Sequence, residues 1–139
     1  MQFNSFLPFK ILLEMKKIIS TPKAPAAIGP YSQAVLAGNT LYISGQVPID
    51  PATGKLAEGG ITEQTEQVFK NIKAILDEAG FTFDDVVKST CLLATMDYFK
   101  PMNEVYAKYY GHDCPARAAF AVAGLPMGAM VEIETIAVK

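Results

Sequence analysis

A single charge in a long quiet run constrains this chain most. From Cys114 to Val131 every residue is apolar, glycine or proline except Arg117. A guanidinium keeps its charge, so an apolar run is a costly place for it unless acceptors or an anion meet it. Three settings satisfy that demand. A carboxylate of the chain can pair with it, it can lie on an exposed edge strand, or its planar fork can await a small molecule bearing a carboxylate. Glu132 ends the run and opens Glu132-Ile133-Glu134. A strand there puts both carboxylates on one face and Ile133 on the other. Either one is a candidate partner for Arg117, or sits near it to handle a proton or a water.

A length of 139 residues suggests one domain with room for a core. Half of the residues are hydrophobic and 19% are charged, which is a soluble globular composition. The formal net charge is -2, and no basic run exceeds Lys16-Lys17, so nucleic-acid binding has no electrostatic footprint. Cys91 and Cys114, with the lone His112, form no metal-ligand spacing. The two cysteines read as buried thiols of a reducing, cytoplasmic compartment rather than as a disulfide. No stretch approaches the roughly 20 apolar residues of a membrane span. Met1 to Glu14 is apolar, but its only lysine falls inside the apolar stretch, and it has no arginines, unlike a secretory or mitochondrial leader. It reads as an N-terminal extension outside the fold, with residues 15–139 as one domain.

The remaining signals give an element order. Lys16 to Ser20 is a short β-branched strand. Thr21 to Gln33 is an ordered loop, because three prolines fix its backbone. Ala34 to Ala37 and Leu41 to Ser44 make a hairpin around Gly38-Asn39. Gly45 then allows close approach of backbone to a ligand, or marks an ordinary bulge. Thr62 to Ala79 predicts a helix capped by Thr62, with one apolar stripe through Val68, Phe69, Ile72, Ile75 and Leu76. Val86 to Thr95 predicts a central strand, and Asp97 caps a second helix to Tyr110. Met102, Val105, Tyr106 and Tyr109 form the core face of that helix. Ala116 to Val122 and Met130 to Val138 close the sheet as a hairpin. The expected class is α+β, one mixed sheet with two helices on one face. Its other face carries Ala119 and Ala121, or Ala118 and Phe120, depending on register, and an apolar face of that kind is usually an oligomer interface.

Five segments together carry a resemblance: residues 23–33 (Lys-Ala-Pro-Ala-Ala-Ile-Gly-Pro-Tyr-Ser-Gln), Ile43-Ser44-Gly45-Gln46, Asn103-Glu104-Val105-Tyr106, Pro115-Ala116-Arg117 and Glu132-Ile133-Glu134. In that order and spacing the chain from Met15 to Lys139 resembles the RidA (YjgF/YER057c/UK114) family of enamine/imine deaminases. The resemblance implies a chorismate-mutase-like fold and a homotrimer with a central β-barrel and clefts between subunits. It implies hydrolysis of 2-aminoacrylate and related intermediates to 2-keto acids and ammonia, with no cofactor and no metal. It assigns Arg117 to the substrate carboxylate and Glu132 to a water near the imine carbon. Tyr31, Ser44, Gly45, Phe99 and Asn103 become cleft-lining positions. Ala119 stands where many members carry a cysteine, so a thiol role at that position is excluded here. The alternative is a non-catalytic module that binds a 2-keto or amino acid in the same cleft. Lone His112, at a predicted helix end, reads as structural.

Overall fold

The computed structural model describes residues 15–139. The expectation for the extension at 1–14 falls outside them. Among these residues eight strands and two long α-helices follow one another: β1 (Lys16–Ile19), β2 (Ala34–Ala37), β3 (Thr40–Gln46), β4 (Ile49–Asp50), β5 (Lys55–Leu56), α1 (Ile61–Ala79), β6 (Val86–Leu93), α2 (Phe99–Tyr109), β7 (Ala116–Ala121) and β8 (Val131–Val138). Six strands form one mixed sheet in the order β1-β2-β3-β8-β6-β7, and β4-β5 is a separate small ladder.

The expected closing hairpin is not there. β7 lies parallel to β6 at the sheet edge, and β8 inserts between β3 and β6, antiparallel to both. The physical reason is the intervening helix. A strand that follows a helical crossover returns parallel to the strand before it, and β8 then fills the gap beside β3. The opening hairpin is as expected, with Gly38 at φ 60° in its turn.

Both helices cover one face of the sheet. α1 buries Val68, Phe69, Ile72, Ile75 and Leu76 against β3 and β8. Its cap differs from expectation. Gly60 is the N-cap, and the Glu63 carboxylate accepts from the Gly60 N–H at 2.8 Å. A carboxylate reaching back this way satisfies a free helix-start donor, a task otherwise assigned to Thr62. The second cap differs likewise. The Thr95 hydroxyl accepts from the Asp97 N–H and caps a short turn at 96–98, while α2 itself starts from Tyr98 with no side-chain cap, so Asp97 is not its cap. α2 packs on α1 through aromatics, with the Phe69 and Tyr109 rings stacked 4.3 Å apart.

Two buried amides fasten the ends of strands where a cleft opens. Asn71 of α1 donates to the carbonyls of Val47 and Ile49. Gln64 of α1 accepts from the Met130 N–H at 2.9 Å, just before β8. Among the described residues, no helix covers the opposite face of the sheet. Ile18, Tyr42 and Phe120 stand about half exposed on it, and register puts Ala118 and Phe120 there, with Ala119 and Ala121 turned towards the helices.

Candidate active site

The residues singled out by sequence gather in two places. The first is a cleft of about 570 Å³ at the end of β3, lined by Pro25, Tyr31, Gln33, Ser44, Gly45, Gln46, Leu92, Glu132 and Glu134, among others. Its wall is the proline-rich loop, and Gln33 organises it. Buried Gln33 accepts from the Thr21 N–H at 2.7 Å and donates to the carbonyls of Thr21, Ala24 and Pro25. One side chain therefore meets the backbone groups that the prolines leave without a ladder. Gln33→Ala is expected to destabilise the chain by about 2–4 kcal/mol, because several buried polar groups lose their partner at once. Urea denaturation would show it as a lower midpoint. Tyr31 stands exposed at the rim, its hydroxyl accepting from the Ile28 N–H. The Ser44 hydroxyl donates to the Ser32 carbonyl at 2.6 Å and ties β3 to the same loop.

Gly45 is part of an irregularity in the β3–β8 pairing, between Ile43 and Gln46. A Cβ at this position would lie 2.9 Å from the Glu132 Cδ. The carboxyl group of Glu132 thus rests against the bare Cα of Gly45, so the glycine serves a close approach rather than only a bulge. Burial, and after it the charge of Glu134, raise the Glu132 carboxyl above its ordinary value. Among the described residues, no lysine, arginine or histidine lines this cleft.

The second place is a hollow of about 410 Å³ on the helix side, lined by Asn103, Tyr106, Ala107, Tyr110, Cys114, Pro115 and Arg117. Arg117 lies on edge strand β7. Its Nη1 donates to the Asn103 Oδ1 at 2.6 Å. Its guanidinium carbon lies 4.7 Å from the Tyr106 ring centre and 5.5 Å from that of Phe99. Phe99, Asn103 and Tyr106 recur at helical spacing on α2, so one helix face builds the seat. Two aromatic faces and a neutral amide orient the cation without neutralising it.

Register decides whether the two places can meet. Arg117 pairs with Ser89 of β6, and Glu132 pairs with Leu92 of the same strand. Positions three apart on a strand face opposite ways. Ser89 is fully buried beneath the helices, while Leu92 lines the open cleft. Arg117 and Glu132 therefore lie on opposite faces of one sheet. The expectation that Glu132 or Glu134 pairs with Arg117 fails within the chain, because the carboxylates alternate away from it.

Ala119 sits on Arg117's face, opposite Cys91. Burial pushes the Cys91 thiol up to about 11, so it stays a protonated core side chain. Cys114 is free and exposed, which corrects the expectation of two buried thiols. It lies in the irregular segment after α2, outside the core. His112 is exposed beside Asp113 and is not among the residues lining either place. Sequence reasoning missed Tyr106 as a seat for Arg117. The signal was its spacing of three from Asn103 and seven from Phe99, which was assigned to the core instead.

One mixed sheet with two helices packed on one face is an α+β architecture, shared with structures of the RidA family. Residues 21–139 match the family described as Endoribonuclease L-PSP, and the chain belongs to that family, the RidA family. It is 55% identical over 125 residues to the Mus musculus protein named 2-iminobutanoate/2-iminopropanoate deaminase, covering 90% of this chain and 93% of the mouse one. The Homo sapiens protein of the same name is 50% identical over 125 residues, covering 90% and 91%. The crystal structure of RidA from the Antarctic bacterium Psychrobacter sp. PAMC 21119 superposes with a TM-score of 0.85 at 51% identity, covering 88% of this chain and 99% of that one. E. coli TdcF with bound serine gives a TM-score of 0.85 at 38% identity, covering 89% and 99%.

Proposed function

We propose that this chain is a hydrolytic deaminase of reactive enamines and imines such as 2-aminoacrylate, giving 2-keto acids and ammonia. It acts as a homotrimer whose sites lie between copies. The observation that carries this reading is the division of labour across the sheet. One half-site holds a cation with open donors, and the other holds carboxylates with no cation. Neither suits a zwitterionic or iminium-carboxylate substrate alone. Edge strand β7 of one copy placed against the cleft of another brings Arg117 opposite Glu132. The half-exposed Ile18, Tyr42 and Phe120 on the open sheet face support such an assembly.

In that site Arg117 takes the substrate carboxylate through two parallel hydrogen bonds. Asn103, Phe99 and Tyr106 hold its plane. Tyr31, Ser44, Gly45 and, beside Arg117, Ala119 line the space for the substrate. The carbon of an iminium is already electrophilic, so the chain's task is to place a water at attack distance. Glu132 accepts the water's proton as the C–O bond forms. It then returns the proton to nitrogen; as the C–N bond breaks, the hydroxyl oxygen forms the C=O bond and gives its proton to Glu132, which passes it to the departing ammonia.

The mouse and human deaminases share half or more of their aligned residues with this chain, which supports the reading. RNA cleavage, which the family's description suggests, is disfavoured by the net charge of -2 and by the carboxylates in the cleft. A binding module for 2-keto or amino acids is the second reading, because the TdcF structure holds serine.

Keto-acid release from 2-aminoacrylate, generated in situ by a serine dehydratase, separates the two. Acceleration over spontaneous hydrolysis is expected for the wild type. Glu132→Gln is expected to lose about 10² to 10⁴ of that acceleration, the usual worth of a positioned base. No acceleration, with a keto acid still bound in an Arg117-dependent way, would establish the binding module instead.

A further inference from the structure

Glu134 lines the same cleft as Glu132 and has no role in the reaction so far. The two carboxylates project from one strand on one face, two residues apart. The Glu132 carboxyl rests against the bare Cα of Gly45, on the wall of the cleft. The groups around the pair are largely neutral. β3 contributes Ser44, Gly45 and Gln46, the 126–128 turn contributes Pro126, and β6 contributes Leu92. Among the described residues, Tyr31 is the one other titratable side chain lining the cleft. Lys88 shares the open sheet face, but register sets it opposite Ile136, two residues beyond Glu134. In the assembled site, Arg117 of a second copy stands on the far side of the substrate, engaged with its carboxylate.

We propose that Glu134 is a positioning residue for Glu132: it keeps a second negative charge in the cleft, so that Glu132 takes up the proton of the attacking water more readily. This deepens the deaminase reading and rests on it. A lone carboxylate in water is a weak base, and a nearby like charge without a counter-cation favours its protonated form. The direction of the Glu132 shift, caused first by burial and then by Glu134, agrees with this geometry. Base strength matters because efficiency of proton transfer rises as the base approaches the operating pH.

The sign is fixed. Glu134→Gln removes the like charge, so Glu132 ionises at lower pH and becomes a weaker base. The experiment compares wild type, Glu134→Gln and Glu134→Asp. It measures the pH profile of kcat/KM together with the ¹³C titration of the Glu132 carboxyl by NMR. Glu134→Gln is expected to move the acid limb and the titration to lower pH together. The plateau of kcat should fall roughly three- to tenfold with KM little changed. Glu134→Asp should restore most of both. A Glu132 titration that stays put in Glu134→Gln overturns the proposal, and an equal loss at every pH marks Glu134 as merely structural. If the titration moves but the wild type releases no keto acid, the coupling stands and the deaminase reading falls.

Discussion

Arg117→Ala is expected to lower kcat/KM for 2-aminoacrylate by about a thousandfold while the chain stays folded. Two charge-assisted hydrogen bonds to the substrate carboxylate are lost at once, each worth roughly 1.5–3 kcal/mol where water is excluded. About 4 kcal/mol corresponds to that factor in rate. The fold tolerates the change because Arg117 sits on edge strand β7 and its partners do not depend on its charge. Asn103 is half-buried and can turn to water, and Tyr106 remains packed against Tyr110. The folded state loses mainly the cation–ring contacts, about 1–2 kcal/mol. Arg117→Lys should recover little. A single ammonium matches neither the carboxylate pair nor the flat surfaces of Phe99 and Tyr106. Steady-state kinetics beside a thermal melt test both halves of the claim. Near-full activity in Arg117→Ala would remove the carboxylate clamp, and with it the reason for bringing two copies together.

How much of this was legible before the structure differs by feature. The helices, the opening hairpin and the two-layer class followed from periodicity, because Val68 to Leu76 and Met102 to Tyr106 leave one apolar stripe each. The caps were not legible. Gly60 gives no side-chain signal, and Glu63 looks like any acidic residue in a first turn. Strand order was also hidden. Local pattern marks β7 and β8 as strands but says nothing of which neighbour each takes, and only the crossover through α2 decides it. The site divides the same way. The isolation of Arg117 and the alternation of Glu132, Ile133 and Glu134 were plain from the residues. Their placement on opposite faces was not, since it depends on the register of β6 with both of its neighbours. That register turns a pair of candidate partners into two half-sites, and hence turns a question about one chain into a question about its assembly.

Gly45 carries the second large effect. Gly45→Ala is expected to reduce kcat/KM about a hundredfold with little loss of stability. The new Cβ would stand 2.9 Å from the Glu132 Cδ, closer than such atoms sit, and a tight 3.2 Å from its Cγ and Oε2. The backbone at Gly45 is not in the left-handed region, so alanine brings no strain of its own. What must give is the far end of a flexible side chain, which moves at a cost within about 1 kcal/mol. Function is less forgiving, because displacing a reacting group by about 1 Å can cost a factor near 10². The argument separates steric displacement from a general weakening of the cleft. Glu132→Asp shortens the side chain by one carbon and withdraws it from Gly45. In that background Gly45→Ala should cost only a few fold more, since the clash it acts through is gone. A full hundredfold loss in both backgrounds would show that position 45 matters through its backbone rather than through the space it leaves for Glu132.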